Sequence, residues 1–125
     1  MMRAFKFLLA GLFLLTIVTS CNKYNKIYKS KDYEYKLKMA DELFVKKKYR
    51  VAQQLYEELF PVFKGTAKFE ELYYKYAFCF YYTKDYLQAQ SLFKGFLEVF
   101  PNSPKAEEVD YLHAYCFYKQ SPKLE

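Results

Sequence analysis

Shifted by 37 residues, the chain matches itself at small, aromatic and charged positions together, and this internal repeat restricts the fold more than any other feature. Ala40, Ala77 and Ala114 superimpose, as do Leu43, Phe80 and Phe117. Tyr49 falls on Tyr86, Ala52 on Ala89, Tyr56 on Phe93, Glu70-Glu71 on Glu107-Glu108, Tyr74 on Tyr111 and Cys79 on Cys116. Chance hydrophobicity would not keep acids and alanines in register. Apolar residues step by three and four, as in Ala52, Tyr56, Leu59 and Phe63, which is the spacing of one helix face. Breaks at Lys47-Lys48, Lys64-Gly65-Thr66, Lys84-Asp85 and Pro101 to Pro104 separate predicted helices near 32–47, 49–63, 67–83, 86–100 and 104–119. Ser103 followed by Pro104 reads as a helix start, with a capping oxygen and a proline at the first helical position. The expected fold is an all-α solenoid of helix-turn-helix units, with two complete units and the first helix of a third. That last helix has no partner, so either another chain covers residues 104–119 or the sequence is the front part of a longer protein. Because Ser121 to Glu125 resembles an inter-helix turn, truncation of the repeat domain at the C-terminus is the expectation.

Composition narrows the function. At 125 residues there is room for one domain. Hydrophobic residues at 53% and aromatic residues at 22% exclude a disordered chain. With 3 Gly and 4 Pro, a many-stranded sandwich is not expected. One His and 3 Cys supply no structural zinc site, and neither GxGxxG nor GxxxxGK[ST] is present. No enzyme constellation and no cofactor is expected. The formal charge is +6, of which Arg3 and Lys6 contribute two. The remaining excess reads as spread over many Lys beside ten Glu, a solvated surface and not a nucleic-acid face.

The N-terminus reads as an address. Arg3 and Lys6 precede a twelve-residue apolar run, Phe7 to Val18, too short to span a bilayer that needs roughly 20 residues. Val18-Thr19-Ser20-Cys21 resembles the lipobox of bacterial lipoproteins. By that resemblance residues 1–20 are a signal peptide, Cys21 carries the lipid, 21–31 form a basic tether and 32–125 the repeat domain. Asn22 and the lack of an acidic run after Cys21 favour the periplasmic face of the outer membrane. Lys23, Lys26 and Lys29 either touch anionic head groups or are merely solvated.

The units resemble the tetratricopeptide repeat. Ala77, Tyr86, Ala89, Phe93 and Pro101 fall at its signature spacings, as do Ala40, Tyr49, Ala52 and Tyr56, with Lys64 where proline belongs. In that family the first helix of each unit lines a concave groove. The implied groove positions are Glu34, Leu37, Asp41, Phe44 and Val45, then Glu71, Tyr74, Phe78, Tyr81 and Tyr82, then Glu108, Tyr111, Tyr115, Tyr118 and Lys119. Leu37, Phe44, Tyr74, Phe78, Tyr81, Tyr82, Tyr111, Tyr115 and Tyr118 are the expected partner-binding residues, the rings giving wide contact at low entropy cost. Phe80, Phe93, Phe96 and Phe117 are assigned to the core. Cys79 and Cys116 are expected to pack as small hydrophobes and not to bridge. His113 is read as a packed residue. The neighbouring acids Glu57-Glu58, Glu70-Glu71 and Glu107-Glu108 are read as solvated or as complementing helix dipoles.

The combination resembles the BamD-type lipoprotein of the outer-membrane β-barrel assembly machinery. It is carried by Cys21 to Lys26, Asp32 to Lys36, Phe78-Cys79-Phe80-Tyr81 with Asp85-Tyr86, and Phe100 to Pro104. The resemblance implies a non-enzymatic, lipid-anchored scaffold on the periplasmic face, partnered by the central barrel subunit and by unfolded barrel proteins. Two alternatives use similar repeats, namely a periplasmic adaptor for cell-envelope or division partners and a glycan-binding nutrient-uptake lipoprotein.

Overall fold

The computed structural model describes residues 2–7 and 23–122, so Cys21 and its expected lipid lie outside the described residues. The chain divides into two compact units, Met1–Asp32 and Tyr33–Glu125. In the first, the segment expected to be a basic tether contains a short helix, α1 (Asn25–Lys29). The Tyr24 carbonyl accepts from the Ile27 and Tyr28 amides at 3.0 and 3.1 Å, and Ile27 is buried.

The second unit is built of α2 (Tyr33–Val45), α3 (Tyr49–Phe63), α4 (Phe69–Tyr82), α5 (Tyr86–Val99) and α6 (Ala106–Gln120), each packed on the next. It is an all-α, tetratricopeptide-like solenoid. All five expected helices form, with two informative differences at their ends. The first helix of each complete unit stops short of its expected end because Lys47 and Lys84, equivalent residues, adopt left-handed backbone at φ 60 and 64. The Lys48 amide then donates to the Leu43 carbonyl (2.8 Å) and Lys47 to Phe44 (3.0 Å). Asp85 to Phe80 (2.9 Å) and Lys84 to Tyr81 (3.1 Å) repeat the pattern. These paired bonds satisfy the last helical carbonyls as in a Schellman turn. At the next repeat, Ser121 is extended (φ −65, ψ 137) and Pro122 has no amide to donate, so α6 does not end in that turn.

The second difference is at α6, which begins at Ala106 and not at Pro104. Ser103 Oγ accepts from the Lys105 amide at 3.1 Å, and its carbonyl accepts from Ala106 at 2.9 Å. Ser103 and Pro104 therefore form a separate turn ahead of the helix.

The core lies where paired helices approach. Ala40, Ala52, Ala77 and Ala89 are wholly buried, so no larger side chain fits between the helices, and the equivalent rings of Tyr56 and Phe93 fill the space beside them. The third unit departs from this. Ala114 is exposed and Phe117 is 64% exposed, which corrects the assignment of Phe117 to the core. Among the described residues no helix covers α6 as α3 covers α2.

One site between the paired helices is filled in two ways. In the first unit Lys36, buried to 1% exposure, extends its ammonium to Glu58 at 2.7 Å. Their equivalents 37 residues on are Tyr73 and Gly95. A Cβ on Gly95 would lie 2.2 Å from the Tyr73 hydroxyl, so the glycine makes room for the ring. An ion pair in one unit is exchanged for a large-and-small pair in the next.

A candidate aromatic groove

Eight of the nine expected binding residues are aromatic, and the structure joins all eight into one chain of rings. Phe44 of α2 lies 6.4 Å from Tyr82, whose ring is 5.5 Å from Phe78. Phe78 meets Tyr74 at 4.6 Å and Tyr81 at 5.8 Å. Tyr81 reaches across to Tyr115 of α6 at 6.2 Å, and Tyr115 is flanked by Tyr111 at 6.4 Å and Tyr118 at 6.3 Å. The spacing follows from the helix: 74, 78, 81 and 82 share one face of α4, and 111, 115 and 118 share one face of α6.

Not every ring is available. Phe78 is 6% exposed and packs against Phe93 at 5.4 Å, so it forms the floor, whereas Tyr82 (48%), Tyr111 (69%) and Tyr118 (72%) are open. Phe44, Tyr74, Tyr81 and Tyr115 are half-buried. Two further rings escaped the sequence reading as groove members. Tyr49 stacks on Tyr82 at 4.6 Å, and Tyr86 lies 6.0 Å from Tyr81. Both begin the second helix of a unit, and their recurrence at one repeat position was the available signal.

Leu37 lies apart from the rings. It is buried in the floor of a trough of about 810 Å³ between α2 and α4, with Glu34, Asp41, Val45 and Glu71 around it. The implied groove thus has two parts, an apolar trough rimmed by charge and a ladder of rings.

Charges fasten the groove-lining helices. Lys68 pairs with Glu34, and one repeat on Lys105 pairs with Glu71 at 3.0 Å. Asp41 accepts from Tyr56 Oη at 2.6 Å and pairs with Lys75 Nζ at 3.1 Å. Tyr74 Oη donates to Glu108 at 3.1 Å beneath the Lys105 ammonium, 5.3 Å above its ring. Burial, and then the hydrogen bond to Asp41, raises the Tyr56 phenol far above its usual range; burial and Glu108 do the same to Tyr74. Ser103 donates to Glu70 at 2.5 Å. Glu70, Glu71 and Glu108 stand in the first turns of α4 and α6, where they complement the helix dipole as expected. With Glu58 they also fasten neighbouring elements, which neither expected role included.

Cys79 and Cys116 are fully buried free thiols, as expected for packed small residues. Burial pushes them up to about 12 and about 11, so neither is a thiolate nucleophile at neutral pH. His113 is half-buried on α6. Among the described residues no cluster of His, Cys, Asp or Glu could hold a metal ion, and no helix is long and apolar enough to cross a membrane.

Comparison with curated proteins gives no match. The family model YfiO, described as outer membrane lipoprotein, matches residues 26–125, which include α2 to α6 and every ring of the ladder. With most of its length matched, the chain belongs to this BamD-type family of outer membrane lipoproteins.

Proposed function

We infer that the protein is a lipid-anchored scaffold on the periplasmic face of the outer membrane. In this reading it serves β-barrel assembly, binding the central barrel subunit and unfolded barrel proteins through the aromatic groove. Residues 1–20 act as signal peptide, Cys21 takes the lipid and 21–31 tether the repeat domain 32–125. The scaffold acts by binding and not by catalysis.

The observation that carries the reading is the ladder itself. Successive ring centroids from Phe44 to Tyr118 are 5.5 to 6.4 Å apart along Phe44, Tyr82, Phe78, Tyr81, Tyr115 and Tyr118. An extended strand places side chains on one face about 6.7 Å apart. Barrel strands alternate apolar and polar residues and carry aromatic girdles. A ladder at nearly that pitch, floored by Phe78, can receive one apolar face of such a strand on its open rings, while the tyrosine hydroxyls reach its backbone.

The test is binding of a fluorescent peptide with alternating aromatics. Changing Tyr82, Tyr111, Tyr115 and Tyr118 together to Ala removes rings worth about 0.5–1.5 kcal/mol each. Affinity should fall at least about tenfold, whereas Tyr33→Ala, exposed but off the ladder, should leave it unchanged. Equal affinity for wild type and the fourfold variant rules the groove out.

A further inference from the structure

The charge of the chain is divided unevenly. Of its 20 basic residues, Arg3 and Lys6 precede Cys21, Lys23, Lys26, Lys29 and Lys31 fall within nine residues, and the other 14 share residues 32–125 with all 14 acids. The repeat domain is therefore formally neutral. The excess that composition suggested was spread over the surface is concentrated in 23–31, where no Asp or Glu occurs. All four lysines are exposed. The local fold sets them so: α1 turns Ile27 inward, while Lys26 and Lys29, three residues apart, share another side of the helix. Tyr24 and Tyr28 are half-buried beside them, and tyrosine settles at membrane–water boundaries.

We propose that residues 23–31 form a docking strip for anionic phospholipid head groups, the lysine ammonium groups donating to phosphodiester oxygens of the leaflet that holds the lipoprotein. Each lysine near such a surface contributes about fivefold in binding, so four together give a preference of several hundredfold. Screening limits that attraction to about 8 Å at physiological ionic strength, and Lys23 stands two residues from Cys21. The proposal rests on the chain being an outer membrane lipoprotein and is independent of what the aromatic groove binds.

The test uses the full chain carrying Cys21→Ser, so that no acyl group contributes. Its partition is measured into phosphatidylcholine vesicles with and without one part in three of phosphatidylglycerol. The chain should prefer the anionic vesicles by about a hundredfold or more, and the preference should weaken with salt. Replacing the four lysines with Gln should remove at least about nine tenths of it, and replacing them with Arg should keep it, separating charge from any change in folding. The proposal is overturned if the Gln variant keeps the preference. It is also overturned if the preference is lost instead on neutralising Lys46, Lys48 and Arg50, the basic turn of the repeat domain. Displacement by inorganic phosphate at matched ionic strength would overturn it too, by showing an ion site and not a surface. Acylation of Cys21 is read separately, by labelled palmitate on the unaltered chain, so its failure leaves the vesicle result standing.

Discussion

Gly95→Ala is expected to destabilise the protein in its native background and stabilise it once Tyr73 loses its hydroxyl. Gly95 sits inside α5, where alanine is ordinarily better than glycine by about 1 kcal/mol. The added Cβ would stand 2.2 Å from Tyr73 Oη. That ring cannot simply swing away. It is 7% exposed and held by Phe60 at 4.8 Å, Phe69 at 5.5 Å and Phe96 at 5.8 Å. Overpacking of this kind costs about 1–3 kcal/mol, so the net effect is a loss of about 1 kcal/mol. In a Tyr73→Phe background the nearest remaining atom is Cζ at 3.4 Å, an ordinary contact, and the same substitution should gain up to about 1 kcal/mol. The coupling of about 2 kcal/mol lies within the range of contacting residues in double-mutant cycles. Urea unfolding followed by far-UV circular dichroism, with the slope unchanged, gives the four stabilities. Equal effects of Gly95→Ala in both backgrounds would refute the close approach and the exchange between repeats built on it.

At the equivalent site, Glu58→Ala should cost about 1–2 kcal/mol, less than a fully buried pair because Glu58 is half exposed. Lys36→Met should cost less than Glu58→Ala, and the reverse order in urea midpoints would contradict the assignment. Lys47→Gly and Lys84→Gly should each stabilise by a few tenths to about 1 kcal/mol, since the left-handed backbone strains a side chain; a loss in either midpoint would count against the turn geometry. Cys79 and Cys116 should resist iodoacetamide at pH 8 until urea unfolds the chain, and labelling of native protein at the rate of free thiol would contradict their burial. Their folded values of about 12 and about 11 exceed the ordinary 9.0. The unfolded thiols therefore lose protons first, and stability should fall as pH rises from about 9 to about 12. A flat urea midpoint over that interval would refute the shift.

The helices were readable because the repeat fixes both size and spacing. Alanine recurs where helices touch, and Ala40, Ala52, Ala77 and Ala89 are indeed wholly buried. The same rule failed at Ala114 and Phe117, since burial there depends on a neighbour that the described residues do not supply. Self-comparison finds equivalents 37 apart, but the fasteners join residues 34 apart, as Glu34 with Lys68, Glu71 with Lys105 and Tyr74 with Glu108. That offset belongs to the stacking of units and not to the repeat, so the dipole-complementing positions of Glu71 and Glu108 were legible but their cross-unit bonds were not. The ring ladder was anticipated as a set of positions. Which rings stand open and which form its floor depends on α5, whose Phe93 buries Phe78, and that is a property of packing. The start of α6 was misplaced because Ser103 spends its oxygen on a turn and on Glu70.

Whether the ladder holds an unfolded barrel segment is tested most directly by site-specific photo-crosslinking in cells. A benzophenone amino acid at Tyr111 or Tyr82 should yield adducts with newly exported barrel proteins, whereas the same group at Leu87, more open than Tyr82 but off the ladder, should not. Adducts at Leu87 with none at Tyr111 or Tyr82 would contradict the account.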